Sequence, residues 1–296
     1  MVLPTLTPQG YVWPSSGSTL NPNLGQISAL FFDNNSYYHA MQARLTKRMT
    51  HGFQIGGSYT WSKSIDDGSS TLAGDAYANS IGTLPFFDLR LSRGLSDFDV
   101  RHNFVVNYTW EIPSSPSLPR PARWIASGWQ FGGIYQLSSG VPFTALVGGD
   151  PLGVQNGTVF DYPDRIQGPG CQSLVNPGNA LNYIKLQCFV FANPSKRLGN
   201  GGRNNLIGPG LSNLDLALFK NNRVAKISEQ FRVQFRVELF NVLNHTNFSP
   251  PLKNNNQNSA CCVIMDQTGN LISTAGKLDS TSTPSRQVQF GLKLIW

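Results

Sequence analysis

Apolar and polar residues alternate with a period of two along much of the chain, the mark of strands whose two faces meet different surroundings. The clearest run is residues 230–239. Phe231, Val233, Phe235, Val237 and Leu239 fall on one face, and Gln230, Arg232, Gln234, Arg236 and Glu238 on the other. A helix would scatter these five apolar side chains around its circumference, so the spacing predicts a strand. Similar runs occur at 37–49, 53–62, 102–112, 129–138, 212–219 and 286–296, which makes seven predicted strands. Lys47 interrupts the apolar face of the first, where its long stem can snorkel, and Val105 intrudes on the polar face of the third.

The connections alternate in length. Residues 50–52 form a tight turn, 63–101 a long gap, 113–127 a shorter Pro/Ser-rich one and 139–211 a very long one; 220–229 is short and 241–285 long again. Long loops at one end and short turns at the other fit a transmembrane barrel better than a soluble sandwich. Counting back from Trp296 through alternating turns puts the C-terminus on the short-turn, periplasmic side. Phe53, Trp110, Trp129, Phe231 and Trp296 then lie near that end, and Tyr37, Tyr59, Trp61, Tyr135 and Phe240 near the other, two levels that match interfacial girdles. The expected fold is therefore all-β: an antiparallel transmembrane β-barrel segment of seven or eight strands, with short periplasmic turns and long extracellular loops. Gly25–Phe32, with Asp33–Ser36 as a turn, is a candidate eighth strand.

Composition narrows the alternatives. Charged residues are 13% of the 296, and Gly 29, Pro 19 and 26 Asn fill the gap. That excludes a coiled coil, a charged helical bundle and a charge-driven disordered chain. No window is long and apolar enough for a transmembrane helix, and the first ten residues do not read as a signal peptide. The formal net charge is +7, but the basic residues form no cluster of the kind nucleic acid requires, so no nucleic-acid partner is expected.

Candidate chemistry is sparse. Cys171 and Cys188, 17 residues apart in the longest outer loop, are a candidate disulfide in an oxidising compartment. Cys261 and Cys262 are adjacent and could bridge each other only with strain, or bind elsewhere. His39, His51, His102 and His245 lie far apart without metal-ligand spacing, and rim histidines are the expectation. Asp66, Asp67 and Asp75 lack calcium-loop spacing and read as a solvated acidic loop. The run 199–210 is Gly-rich without the strand–helix context of a phosphate loop, and no nucleophile elbow occurs. No catalytic residue, metal or cofactor is expected, and the protein is not expected to be an enzyme.

Several segments carry a family resemblance: Tyr38-His-Ala-Met-Gln-Ala-Arg-Leu-Thr-Lys-Arg48, Gly57-Ser-Tyr-Thr-Trp-Ser-Lys-Ser-Ile-Asp66, Asp97-Phe-Asp-Val-Arg-His-Asn103, Gly199-Asn-Gly-Gly-Arg-Asn-Asn-Leu-Ile-Gly-Pro-Gly210, Asn213-Leu-Asp-Leu-Ala-Leu-Phe-Lys220 and Phe235-Arg-Val-Glu-Leu-Phe-Asn-Val-Leu-Asn-His-Thr-Asn-Phe248. Over roughly residues 20–296 the chain resembles the C-terminal part of an Oar-like TonB-dependent outer-membrane receptor. The resemblance implies residues 1–35 as an outer-loop or partial-strand segment and 36–296 as C-terminal strands of a barrel of about 22, in the outer membrane of a Gram-negative cell. It implies lipid and the barrel assembly machinery as partners, an unidentified solute, and the TonB complex only through N-terminal regions not in this sequence. Phe290, Leu292, Leu294 and Trp296 resemble the terminal assembly signal. Arg44, Arg48, Arg101, Asp215, Arg232, Arg236, Glu238 and Lys293 are expected to face the lumen, either in charge ladders that hold a plug or merely hydrating it. Seven strands are too few to close such a barrel, and a truncated product or mis-assigned start is the expected explanation. The alternatives are a soluble or surface glycan-binding β-sandwich and a small closed structural or adhesive barrel.

Overall fold

A computed structural model describes residues 4–14, 23, 33–69, 87–114, 117, 119–153, 161–192, 196–224, 230–249 and 262–296. Seven long strands dominate it: β1 (Ser36–Thr50), β2 (Phe53–Asp66), β3 (His102–Glu111), β4 (Trp129–Ser138), β5 (Leu211–Arg223), β6 (Arg232–Phe240) and β7 (Gln287–Ile295). They form one antiparallel meander in chain order, and the two-residue strand Gly94–Leu95 adds to the top of β2. Strands of 9–15 residues are long enough to cross the hydrocarbon core when tilted. Among the described residues β1 and β7 do not pair with each other. The candidate strand Gly25–Phe32 lies outside the described residues.

The ends of the sheet differ as the alternation of connection lengths requires. At the periplasmic end, β1 turns into β2 through His51 and Gly52, both at positive φ, the backbone of a primed hairpin turn. A side chain at Gly52 would also meet the carbonyl of Glu111 at 2.7 Å. Between β3 and β4 the short helix α1 (Arg120–Ala126) begins with proline in its first turn, where a missing N–H costs nothing.

Register fixes the faces. Leu216 stands between Gly133 of β4 and Leu239 of β6, and Val237 between Leu218 and Phe290, all on the outer side. Arg236 faces Phe219 and Gly291 on the inner side. The outer face is apolar and uncovered by protein over most of its area: Leu45, Phe290 and Leu292 are 79%, 67% and 68% exposed. A soluble sandwich would bury that face under a second sheet. An uncovered apolar surface of this extent belongs in lipid.

Two outer-face lysines, Lys47 and Lys220, sit near the periplasmic end, and Lys63 lies on the same face near the other end, opposite His39. Lys47 lies 5.5 Å from the Phe53 ring. Lys220 tucks under α1, where its Nζ donates to the carbonyls of Trp124 (2.8 Å) and Ser127 and lies 5.5 Å from the Trp129 ring. The lysine thereby satisfies carbonyls at the end of the helix that would otherwise lack partners. Phe240 shares the inner face with Arg236 and Glu238, so it does not belong to an outer aromatic girdle; it is the last residue of β6, where the loop and not the lipid decides its surroundings.

The compact apolar core lies outside the sheet. Residues 4–14, 87–101, 139–153, 161–192, 196–210 and 262–286 build an extracellular cap with two buried clusters. One gathers Phe143, Val147, Ile184, Leu206 and Ile264, and the other Trp13, Leu152, Tyr162 and Leu198. Short strand pairs stitch it, including Pro142–Phe143 with Leu206–Ile207 and Leu146–Val147 with Val263–Met265. The hairpin Thr5–Thr7/Gly10–Val12 joins through the Trp13 N–H to Lys196 carbonyl bond.

The face assignment predicts opposite outcomes for one substitution at two mid-sheet positions. Val237→Arg, on the outer face, should cost about 2–4 kcal/mol in phospholipid vesicles. Ala217→Arg, on the inner face opposite Glu238, should stay within about 0.5 kcal/mol. Urea unfolding from vesicles measures both, and the reverse order means that the faces are inverted.

Candidate functional site: the inner face and its extracellular cap

The cap is tied to the strand tops by a buried arginine. Arg203 is 6% exposed, and its five N–H groups all find acceptors. Nε donates to the Ser92 carbonyl at 2.7 Å; one terminal nitrogen donates to Ser69 Oγ and Asp97 Oδ1; the other donates to the Asp66 carbonyl at 2.9 Å and to the Asp66 carboxylate. Asn204, at positive φ, continues the knot by donating to the Leu95 carbonyl and by exchanging hydrogen bonds with Thr144. Three segments distant in sequence are thus joined by one guanidinium, whose planar fork suits it to this task.

These residues correct the reading of Asp66 and Asp67 as a solvated acidic loop. Both are buried: Asp66 pairs with Arg203, and Asp67 accepts the Asn35 N–H. Asp75 lies outside the described residues. Among the described residues no group of three or more potential metal ligands converges. Cys171 and Cys188 form a disulfide inside the cap core. Cys262 is also disulfide-bonded, and Cys261 lies outside the described residues.

At the strand tops, side-chain amides take over where the backbone ladder ends. Asn247 accepts the Ser212 N–H and donates to the Ser212 carbonyl; Asn241 donates to the carbonyls of His245 and Pro284. Asp215 accepts from the Asn241 N–H at 2.8 Å. This is the physical content of the Phe-Asn-Val-Leu-Asn-His run, which ties residues 241–247 to the head of β5 and to Pro284 ahead of β7.

Asp161 is the most perturbed carboxylate outside the membrane span. Burial pushes its pKa up to about 7, against hydrogen bonds from the Tyr162 and Gly199 N–H groups; Asp164 adds to the rise and Arg197 opposes it. Arg197 itself pairs with Asp164. Gly199 is required here, because a side chain would collide with the Tyr162 carbonyl.

Register puts Arg44, Asp215, Arg232, Arg236, Glu238 and Lys293 on the inner face, in line with Ser58, Ile134, Arg223, Phe219, Ala217 and Gln234 respectively. Arg48 follows Arg44 and Thr46 on that side of β1, at the irregularity ahead of the turn. Arg101 precedes β3, with its guanidinium 3.8 Å from Asp99. The expected charge ladders do not form: among the described residues no ion pair joins two of these eight, and register sets Arg223 opposite Arg232. Arg236 instead lies 5.4 Å from the Phe219 ring and donates to Gln234. Phe290, Leu292 and Leu294 face outward, and Trp296 follows the strand, 86% exposed.

Under the cap, at the head of β1–β3, the inner face holds a cavity of about 380 Å³. Its roof is the segment 96–101, zipped to β2 by Ser64 N–H to Asp99 (2.6 Å), Ser62 Oγ to the Val100 carbonyl (2.8 Å) and Ser62 N–H to the Arg101 carbonyl (3.0 Å). Tyr38, Gln42, Thr60, Asn103 and Phe98 line the rest. None of Arg203, Asn204, Asp97 or Asn247 stands out by periodicity or motif chemistry, although all four fall inside the segments that carried the family resemblance.

The sheet, its lipid-exposed face and its one-sided loops define an outer-membrane β-barrel wall. The family model of the outer membrane beta barrel domain matches residues 6–289, and the chain belongs to that family. No curated protein and no solved structure matches it.

Two outcomes follow for the cap. Arg203→Ala strands the buried carboxylates of Asp66 and Asp97 and should cost the cap about 3–5 kcal/mol; protease cleavage within 139–210 should rise on intact cells while β1–β7 stay protected. Because Asp161 is held above its unfolded value, its contribution to stability is full below about pH 4 and is lost as the pH rises through 7. Amide exchange in cap peptides should therefore quicken across that window, and Asp161→Asn should flatten the dependence.

Proposed function

We propose that this chain is part of the wall of a TonB-dependent transporter in the outer membrane of a Gram-negative cell. In this role it binds a scarce solute on the outside and passes it inward, without chemical conversion. The observation that carries the reading is a meander of seven long strands among the described residues, in strict chain order, whose first and last strands do not pair with each other there. Seven strands fall short of the eight that close the narrowest barrels, and wide barrels with a plugged lumen are those of the outer-membrane transporters. Orphan edge groups cost several kcal/mol each in hydrocarbon, so further strands are called for. The polar inner face and the family resemblance support the same reading. Arg44, Arg48, Arg232, Arg236 and Lys293 hydrate the lumen and face the plug. The outward alternation ending at Trp296 serves the barrel assembly machinery, and coupling to the TonB complex belongs to other parts of the receptor.

The test is energised uptake. Cells that carry the gene and cells that lack it are compared for accumulation of labelled solutes, with and without TonB. Accumulation that needs both the gene and TonB is the expected result. Growth and uptake that are indifferent to TonB across siderophores, cobalamin, glycans and peptides would sink the proposal.

A further inference from the structure

We propose that the cavity beneath segment 96–101 is a binding site for an uncharged oligosaccharide; the assignment rests on the transport reading and names its solute class.

Three side chains form the floor. Gln42 stands opposite Thr60, and Thr60 opposite Asn103, so an amide, a hydroxyl and a second amide lie in a row at strand spacing of about 4.8 Å. Each can both donate and accept, the capacity a sugar hydroxyl needs from its partner. Asn103 Oδ1 is buried and accepts no hydrogen bond. The rings of Tyr38 and Phe98 flank the row and are 59% and 45% exposed. Aromatic rings of this kind, apolar in the body, pack against the C–H faces of a pyranose.

The charge balance selects the class. Asp99 is the one ionisable acid in the lining, and its carboxylate already accepts the Ser64 N–H and faces Arg101. Among the described residues no lysine or arginine lines the cavity. Arg48, Arg232 and Lys293 sit at the periplasmic end of the inner face, away from it; Arg44 follows Gln42 two residues along that face, and Arg101 ends the roof, turned to Asp99. A carboxylated, sulfated or phosphorylated ligand would enter beside the Asp99 carboxylate, to which Arg101 is already turned, and an apolar one would leave the row of amides and hydroxyl unpaired. The volume lies in the range of small-ligand pockets.

The experiment is calorimetric titration, in detergent micelles, of the intact outer-membrane protein that contains this chain, with neutral gluco-, xylo-, manno- and galacto-oligosaccharides, an oligogalacturonate and a hexapeptide. Saturable binding of a neutral probe is expected, with oligogalacturonate and peptide weaker. Tyr38→Ala and Asn103→Ala should each weaken that binding about tenfold, and Phe98→Ala, at an exposed position, guards against loss through misfolding. Absence of binding across the neutral panel at millimolar concentration overturns the assignment, as does tighter binding of oligogalacturonate or peptide, or binding that all three variants leave unchanged. Sugar binding without TonB-dependent uptake removes the transport reading and leaves the site standing; TonB-dependent uptake without sugar binding does the reverse.

Discussion

A backbone N–H or C=O in hydrocarbon has no water to turn to, and this requirement governs the wall. Each strand answers it by pairing with its neighbour in the chain, so the order of the sheet is the order of the sequence. Where the ladder runs out at the extracellular rim, side chains replace it. Asn241, Asn247, Asp99 and Asp215 accept from or donate to main-chain groups at the heads of β2, β5 and β6.

The cap answers to a different solvent. It faces water and buries its own apolar residues in two clusters, as a small soluble domain does. A disulfide closes one of its loops, and a 17-residue separation is worth about 3 kcal/mol in the chain-entropy account. Arg203 then joins cap to wall. A buried ion pair of this kind is not a large net source of stability against an apolar substitute, but losing one partner is expensive. Its role is to fix which loop sits over which strand, which in turn sets the roof of the cavity above Gln42, Thr60 and Asn103.

The wall was legible because lipid on one side and lumen on the other impose period two on every strand. All seven strands and the alternation of their connections can be read from that pattern. Its reach was short in two places. β2 continues through residues 63–66 and β5 through 220–223, where Ser64 and Asp66 serve the cap and Lys220 serves α1. At those positions tertiary partners, not the two solvents, choose the side chain. The cap was hardly legible at all. Arg203 sits in a run of Gly and Asn with no periodicity, and its partners Asp66 and Asp97 lie more than a hundred residues away. Nothing local marks one arginine among many as the one that folding will bury. The inner-face residues were legible as a side of the sheet, but their pairing was not: the register puts Arg223 against Arg232 and sets Arg236 against Phe219.

The separation of the two cores sets different rules for sequence change. Acyl chains are fluid and conform to whatever shape the outer face presents, so Leu45, Val237, Phe290 and Leu292 need only remain apolar, and one bulky residue there does as well as another. Phe143, Leu152, Ile184 and Ile264 sit in a close-packed interior where a methylene more or less is felt. Drift should therefore be broad across the lipid-facing positions and narrow in the cap interior, the opposite of the usual pattern in which loops vary and the regular framework is fixed.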